Sequence, residues 1–235
     1  MQSLFVTGTD TDVGKTVVTG GLLKAFATRG LSTLGYKPIA AGCESTPRGL
    51  ENADALFLQH CSSVRAPLIE VNPVTYAPPI APHIAATLAE QPIASEQVIA
   101  GWHQLASYQP DVLITEGAGG WALPISHQDT FPSILRQLPL RVILVVGMRL
   151  GCLNHALLTA SAVRADGFEL AGWVANHLSA TMPYLQDNID TLSHLLGAPL
   201  LGQVPYLNND PNNPFEHTLG AEQYLDIAPL LVGTG

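Results

Sequence analysis

Residues 6–16 read VTGTDTDVGKT, and they decide the fold prediction because a glycine-rich turn here separates a short apolar run from a helix start. In such a turn the backbone N–H groups and the positive end of the following helix point at one place and favour an anion there. Lys15 would reach the outer phosphates of a nucleotide, and the Thr16 hydroxyl would bind Mg²⁺, as in a Walker A loop. The sequence therefore predicts a phosphate-binding loop, with a glycine turn that only joins strand to helix as the simpler alternative.

The rest of the chain alternates between buried-strand and helix patterns. Apolar runs without polar alternation, typical of strands covered on both faces, lie at 3–8, 111–116, 141–147 and 169–176. Helical patterns lie at 15–29, 94–108, 154–165 and 183–196. With right-handed crossovers, this order predicts an α/β fold: a doubly wound, mostly parallel sheet with helices on both faces, P-loop NTPase-like. We expect a single domain over 1–235, with the proline-rich stretches 71–83 and 204–214 as ordered loops.

Composition limits the classes of partner. Apolar residues make up 47% of the chain and charged residues 12%, which indicates a heavily buried sheet and an additional subunit interface. The net charge of −9, with scattered basic residues, predicts neither a nucleic-acid nor a membrane partner. The three cysteines match no disulfide framework or zinc spacing, and no signal-peptide pattern or long apolar run is present. We therefore expect a cytoplasmic protein.

Three charged side chains are expected at the carboxyl edge of the sheet, where ligands of such folds bind. Glu116 ends the apolar run DVLITE, Asp54 opens the helical stretch ADALFLQH, and Lys37 follows TLGY. Carboxylates at this edge can hold Mg²⁺. Lys37 and Lys15 facing one phosphate would neutralise charge on a transferring phosphoryl group. Without the resemblance described below, Asp54 is more simply an ordinary helix-start acid and Lys37 fits a solvated strand-end lysine equally well, whereas Glu116 fits a metal ligand better than a simple strand-end acid.

The amino-acid sequence of the loop indicates one family more specifically than a general Walker A motif does. Gly8 and Gly14 are separated by five residues, one more than in G-x-x-x-x-G-K-[ST]. GTDTDVGKT resembles the loop of dethiobiotin synthetases, which typically begins with GTDT and ends with VGKT. The resemblance runs in matching order from residue 5 to about 210, through GYKPIAAG (35–42), NADAL (52–56), VNPVTY (71–76), PHIAA (82–86), EGAGGW (116–121), LGCLNHALLTA (150–160) and AGWVAN (171–176).

This resemblance implies an enzyme of biotin biosynthesis that closes a cyclic urea. CO₂ and 7,8-diaminononanoate would give dethiobiotin while ATP, the co-substrate, becomes ADP and phosphate. An amine would capture CO₂ as a carbamate, the carbamate would take the γ-phosphoryl group, and the second amine would attack the mixed anhydride. The resemblance also implies Mg²⁺ and a homodimer with the active site at the subunit interface.

The resemblance also implies roles for individual residues of this sequence. The catalytic residues would be Lys37, Lys15 and Thr11. The metal ligands would be Thr16, Asp54 and Glu116. The nucleotide-binding positions would be Asp12, Val13, Gly14, Lys15, Thr16, Asp54, Glu116, Gly117, Ala118, Gly119, Asn176, Pro205, Tyr206 and Leu207. The substrate-binding positions would be Thr11, Lys37, Ala41, Tyr184 and, from the partner subunit, Gly151, Cys152, Leu153 and Asn154.

Three departures from the family pattern leave alternatives open. Asp12 stands where Glu is frequent, Ala41 where a hydroxyl residue is common, and Asn212 where an acidic residue often contacts the nucleotide. A substrate-shifted paralogue is therefore one alternative, and the choice between ATP and CTP stays open. A partitioning-type ATPase switch shares the predicted fold, but such proteins usually carry KGGxGKT where this chain has TDTDVGKT.

Overall fold

The computed structural model describes residues 1–207 and 220–231, so Asn212 and residues 208–214 of the second proline-rich stretch lie outside the described part. The strands of the described part are β1 (Gln2–Gly8), β2 (Thr33–Tyr36), β3 (Ile39–Ala41), β4 (Glu44–Thr46), β5 (Gly49–Glu51), β6 (Val74–Tyr76), β7 (Val112–Gly120), β8 (Arg141–Met148), β9 (Leu170–His177) and β10 (Leu200–Val204). Six of them form a parallel sheet in the order β10-β9-β8-β1-β7-β2.

Helices cover both faces of this sheet. They are α1 (Lys15–Thr28), α2 (Ala53–Cys61), α3 (Leu68–Val71), α4 (Pro82–Leu88), α5 (Ser95–Ala106), α6 (Phe131–Leu135), α7 (Cys152–Ala165), α8 (Leu185–Leu195) and α9 (Ala228–Leu231), with a 3₁₀ turn at Ala221–Tyr224. None of the helices in the described ranges is long and apolar enough to cross a membrane. The four helices predicted from sequence all form, with ends within two residues of the predicted ones. The doubly wound fold is therefore confirmed.

Successive side chains of β1 show why both faces must be covered. Leu4 and Val6 pack into one apolar cluster with Phe26 of α1, whereas Phe5 packs into a second cluster with Trp102 of α5. Alternate residues of a strand point to opposite faces, so a strand that is apolar at every position buries both. Each large side chain removed from water in this way contributes about 1.5–3 kcal/mol.

The prediction of a loop over 71–83 was wrong for part of that stretch. Val74–Tyr76 forms β6, which pairs in parallel with β3 through Ile39 and Val74, and α4 begins at Pro82. The prolines flank this short strand instead of interrupting it. Its partner lies 35 residues earlier in the chain, Ile39 opposite Val74, so local composition carried no sign of the pairing. This small sheet supports the wall of the cleft described below.

The structure predicts that all three thiols react slowly with reagents in solution. Cys43, Cys61 and Cys152 are unpaired and at most 6% exposed, and burial raises the pKa of Cys61 to about 11. Since the thiolate is the reactive form, Ellman's reagent at pH 8 should modify almost no thiol in the native protein and all three in urea. Fast release of one equivalent from the native protein would contradict this prediction.

Candidate functional site

The predicted phosphate loop forms a closed turn between β1 and α1. Gly14 adopts the left-handed conformation (φ 88°) directly before the first residue of α1. The Lys15 ammonium folds back and donates to the carbonyl oxygen of Asp10 at 2.9 Å. Asp12 also has a positive φ of 57°, which turns the crown of the loop outward. The loop therefore places the buried ammonium of Lys15 at the start of α1, where the positive end of a helix favours an anion.

A second group of charged side chains meets beside this loop. The Lys37 ammonium lies 2.5 Å from Glu116 Oε1 and 2.9 Å from Asp54 Oδ2. The Thr16 hydroxyl donates to the same Glu116 Oε1 at 2.8 Å. These four residues come from α1, the end of β2, the first turn of α2 and β7. The fold thus brings together side chains up to 100 positions apart in the sequence.

Local backbone contacts hold two of these residues in place. The Asn52 side chain caps α2 by accepting from Ala55 N at 3.3 Å, which fixes the turn that carries Asp54. Asn72 donates to the carbonyl oxygen of Lys37 at 2.6 Å, and the N–H of Lys37 donates to Val71 at 2.8 Å. The Lys37 backbone is therefore anchored on both sides while its side chain reaches Glu116.

The charges of this group depend on one another. Burial alone would lower the pKa of Lys37, but Glu116 and Asp54 raise it above its ordinary value. Burial alone would raise the pKa of Asp54, but Lys37 lowers it below the usual range. Burial, together with the positive charge of Lys37, lowers the pKa of Lys15. At neutral pH the structure therefore contains a charged Lys37 paired with a charged Asp54.

Part of this group fits a hard divalent cation. Glu116 is fully buried, and its Oε2 atom has no hydrogen-bond partner among the described residues. Burying an oxygen atom without a hydrogen-bond partner lowers the stability of the protein, so Oε2 is suited to bind a ligand such as a cation. Thr16, Asp54 and Glu116 offer the oxygens that Mg²⁺ prefers, with water and phosphate left to complete an octahedron. No cluster of three or more His, Cys, Asp or Glu residues suited to a metal occurs in 1–207 or 220–231.

A cleft of about 820 Å³ opens over the loop and the charged group. Half of the predicted site residues line it: Thr11, Asp12, Gly14, Lys15, Thr16, Lys37, Ala41, Asp54, Glu116, Ala118 and Gly119. Sequence reasoning did not assign the rest of its wall, which consists of Ala40, Asn52, Pro79, Ile80, Ala81, Pro82 and Leu123. Of these, Asn52 carried a signal, because an Asn directly before a helical stretch is a typical N-cap.

Other predicted nucleotide-binding residues lie behind or beside the cleft. Val13 is buried in the core beneath the loop, and a side chain on Gly117 would point at the Phe5 ring 2.8 Å away. Asn176 ends β9 and donates from Nδ2 to the carbonyl oxygen of Val13 at 2.9 Å. Pro205, Tyr206 and Leu207 follow β10, next to β9. The structure therefore brings Asn176 into contact with the loop backbone, while Gly117 packs against Phe5.

The predicted binding residues of α7 and α8 lie away from the cleft of their own chain. Gly151, Cys152, Leu153 and Asn154 form the start of α7, and Cys152 is buried there. Tyr184 precedes α8 and is 78% exposed. Leu150, which directly precedes Gly151 in the chain, is 99% exposed. Both side chains therefore lie on the surface of this chain, at the starts of α7 and α8.

One contact to the loop crown has no counterpart in the sequence predictions. Arg149, which follows β8, lies 2.5 Å from the Asp10 carboxylate, and that carboxylate also accepts the Thr11 N–H at 2.8 Å. The Thr11 N–H, helped by Arg149, lowers the pKa of Asp10. The residue pair spans 139 positions, so no local pattern could have indicated it.

Comparisons with known proteins agree with this geometry. A family model described as an AAA domain matches residues 2–211. Relatives named ATP-dependent dethiobiotin synthetase BioD come from Aeromonas hydrophila (48% identity, 98% of this chain and 100% of the relative), Cellvibrio japonicus (48%, 98% and 98%) and Pseudomonas aeruginosa (44%, 99% and 100%).

Solved structures with the same architecture are more distant in sequence. A ParA family ATPase from Chlorobium tepidum has a TM-score of 0.55 at 15% identity, covering 97% of this chain and 93% of its own. The MinC:MinD cell division complex of Aquifex aeolicus has a TM-score of 0.57 at 12% identity, covering 94% and 86%. At such identities the likeness shows the fold alone, a parallel sheet with a phosphate-binding loop.

Proposed function

The chain belongs to the ATP-dependent dethiobiotin synthetase family, and from this premise we propose that it closes a cyclic urea from CO₂ and 7,8-diaminononanoate in biotin biosynthesis. The observation that carries the proposal is the meeting of two lysines, Lys15 and Lys37, over one phosphate loop and one open cleft. Relatives sharing 44–49% of their residues over most of the chain bear the synthetase name, which makes the chain an ATP-using ligase.

The cleft supports separate places for the nucleotide and the diamine. The phosphates would lie on the loop between Gly8 and Lys15, where backbone N–H groups converge. Thr16, Asp54 and Glu116 would hold Mg²⁺, and the ion would neutralise negative charge on the phosphate oxygens. The diamine would lie on the opposite side, against Thr11 and Ala41 of the cleft wall.

The residues of this chain would act mainly by positioning and electrostatics. An amine of the substrate captures CO₂ as a carbamate, and a carbamate oxygen attacks the γ-phosphoryl group while ADP leaves. The second amine then attacks the carbonyl carbon of the mixed anhydride, the ring closes, and phosphate departs. Lys15 and Lys37 would stabilise the charge that develops on the transferring phosphoryl oxygens. The Thr11 hydroxyl would orient the attacking amine by hydrogen bonding.

We further propose a homodimer in which the start of α7 completes the neighbouring cleft. Backbone N–H groups at the start of α7, those of Gly151, Leu153 and Asn154, are suited to the carboxylate tail of the diamine, whereas the Cys152 N–H donates to the Arg149 carbonyl oxygen at 3.0 Å. None of these four residues lines the cleft of its own chain. Tyr184 would assist from the same surface, and the exposed Leu150 fits an interface. The three buried, unpaired thiols fit the reducing conditions of the cytoplasm, where the enzyme would act.

A substrate-shifted paralogue is the second candidate, and one observation favours it. Ala41 lines the cleft in the position where the family commonly carries a hydroxyl, so one hydrogen bond to the usual substrate is missing. The shorter Asp12 also lines the cleft, and its carboxylate reaches one methylene less far than Glu would. A diamine of slightly different length or polarity would suit these two changes.

Product mass spectrometry tests the proposal directly. The protein is mixed with ATP, Mg²⁺, bicarbonate and 7,8-diaminononanoate, and dethiobiotin is expected in amounts equal to the ADP released. A parallel reaction without the diamine should release little ADP. If ADP forms equally with and without the diamine and no dethiobiotin appears, the substrate assignment is wrong, and a series of other diamines becomes the next test.

Replacing Gly14 with alanine is expected to weaken ATP binding by at least about tenfold, because the loop would have to open. A Cβ at this position would lie 2.1 Å from Asn176 Nδ2, and φ is +88°. Gly30→Ala is the matched control, since Gly30 has a φ of +81° but no atom within 4 Å of its Cβ position. Calorimetric titration with ATP should show weaker binding only for Gly14→Ala. Equal losses of ATP affinity in the two variants would contradict the prediction that the loop needs glycine at position 14.

A further inference from the structure

The Lys37 ammonium lies where a cation would be expected. It is within 2.5 Å of Glu116 Oε1 and 2.9 Å of Asp54 Oδ2, and the Thr16 hydroxyl shares the same Glu116 oxygen. The Lys37 side chain is 5% exposed, so water does not separate these charges. One positive atom of the chain therefore sits among the three residues proposed above to hold Mg²⁺.

Lys37 and a divalent ion cannot share this position. Mg²⁺ binds its oxygens at about 2.0–2.1 Å, and Glu116 Oε1 already accepts from both Lys37 and Thr16. A second positive charge a few ångströms from a buried ammonium is strongly repelled. Glu116 Oε2 has no partner within the described residues, which shows that the ammonium alone does not use all the acceptors available here.

The Lys37 side chain can move away from the carboxylates into the cleft, and a bound phosphate would attract it there. Its backbone is held by Asn72 and Val71, so only the side chain would move. The cleft next to it is open, and a phosphate on the loop would offer the ammonium a new negative partner. The neighbouring Lys15 donates to the Asp10 carbonyl oxygen, and its Nζ is therefore not the atom that fills the place between the carboxylates.

We propose that Lys37 is the resident cation of the nucleotide-free site, and that a divalent metal replaces it there only when a nucleotide phosphate draws the ammonium away. The inference rests on the proposed function, since it assumes a nucleotide phosphate on the loop. Lys37 thus keeps the metal out of the nucleotide-free site and contacts the phosphate once the nucleotide is bound. Metal would enter together with the nucleotide, and the free protein would bind little of it.

The test is the binding of Mn²⁺ to the nucleotide-free protein, measured by the loss of the free-ion signal in electron paramagnetic resonance. Lys37→Met keeps the unbranched side chain up to the position of Cε and removes the charged Nζ, so it should bind Mn²⁺ at least about tenfold more tightly than the wild type. Lys15→Met is the matched control, because it removes an equally buried charge from the same cleft without vacating the place between the carboxylates. Its affinity should change much less.

Equal gains in the two variants would show a general charge effect and overturn the proposal, as would an unchanged affinity in Lys37→Met. A second measurement uses the unaltered protein, in case Lys37→Met folds poorly. With ¹⁵N-labelled lysine, of which the chain has three, Mg²⁺ alone should leave the Lys37 Nζ resonance in place. Mg²⁺ with a non-hydrolysable ATP analogue should shift it. The exchange would be refuted if Mg²⁺ alone shifted the Lys37 Nζ resonance to saturation. It would also be refuted if that resonance did not move in the presence of both Mg²⁺ and the ATP analogue.

These outcomes separate the exchange from the enzyme's activity. If dethiobiotin forms but Mn²⁺ binds the wild type and Lys37→Met equally, only the exchange fails. If no dethiobiotin forms but the lysine resonance moves with Mg²⁺ and nucleotide together, the exchange holds and the substrate assignment fails.

Discussion

Dethiobiotin formation is expected to fall by about 10²–10³-fold when Lys37 is replaced by methionine, the usual cost of removing one donor aimed at developing charge. Methionine keeps most of the packing of a side chain that is 5% exposed, so the loss would come from the missing charge. The decrease should appear in kcat, measured by coupled ADP release at saturating ATP and diamine, because the ammonium is proposed to act when the phosphoryl group transfers.

Lys24→Met is the control for losing a lysine elsewhere. Lys24 lies in α1, outside the residues that line the cleft, and its replacement should leave kcat within about twofold, as is usual for substitutions away from the site. If Lys37→Met retained a kcat close to that of the wild type, Lys37 would not be a catalytic residue, and its ion pairs would have to be interpreted as structural only.

Replacing Glu116 with glutamine is expected to lower the rate about 100-fold and the free energy of unfolding by about 1–3 kcal/mol. The amide can still accept from Thr16 at the position of Oε1, but it no longer balances the buried charge of Lys37. Glu116 is fully buried, so water cannot compensate. Urea unfolding of the nucleotide-free protein measures the stability loss, and the rate assay at increasing Mg²⁺ measures the metal defect.

Asp54→Asn provides the comparison, because the Asp54 side chain is 44% exposed whereas Glu116 is buried. Its stability loss should be smaller than that of Glu116→Gln, because water can partly solvate a half-exposed carboxylate or the amide that replaces it, while its Mg²⁺ requirement should also rise. A stability loss in Asp54→Asn as large as that in Glu116→Gln would show that burial does not control the strength of this group.

The parts of the fold that follow from local pattern were predictable from sequence. The loop at 6–16, the helix after it and the apolar strands depend on residues close to one another in the chain, and their predicted positions agree with α1, β1, β8 and β9. β7 was predicted to end at Glu116 but continues to Gly120, since Gly8 of β1 pairs with it there. Glycines alone gave no sign of that pairing, because they suit a turn equally well.

The arrangement of the site depended on distant contacts that no pattern contains. The pairing of β3 with β6 shapes the cleft wall, and the contact between Arg149 and Asp10 joins positions 139 residues apart. Periodicity likewise could not place the Lys37 ammonium between two carboxylates, because that depends on how three strand and helix ends converge. The single domain over 1–235 and the assigned role of each site residue remain predictions.

The bond from Asn176 Nδ2 to the Val13 carbonyl oxygen fixes the polarity of that side chain. A carbonyl accepts only, so the amide cannot flip without losing this bond, and its oxygen keeps one direction. In the base-reading role proposed for Asn176, one acceptor and one N–H would remain in a set order, the complement of the amino group and ring nitrogen of adenine. Guanine would bring its own carbonyl oxygen against the amide oxygen. For the base-reading role proposed for Asn176, we therefore expect GTP to bind more weakly than ATP, because these two oxygens would repel each other through their lone pairs.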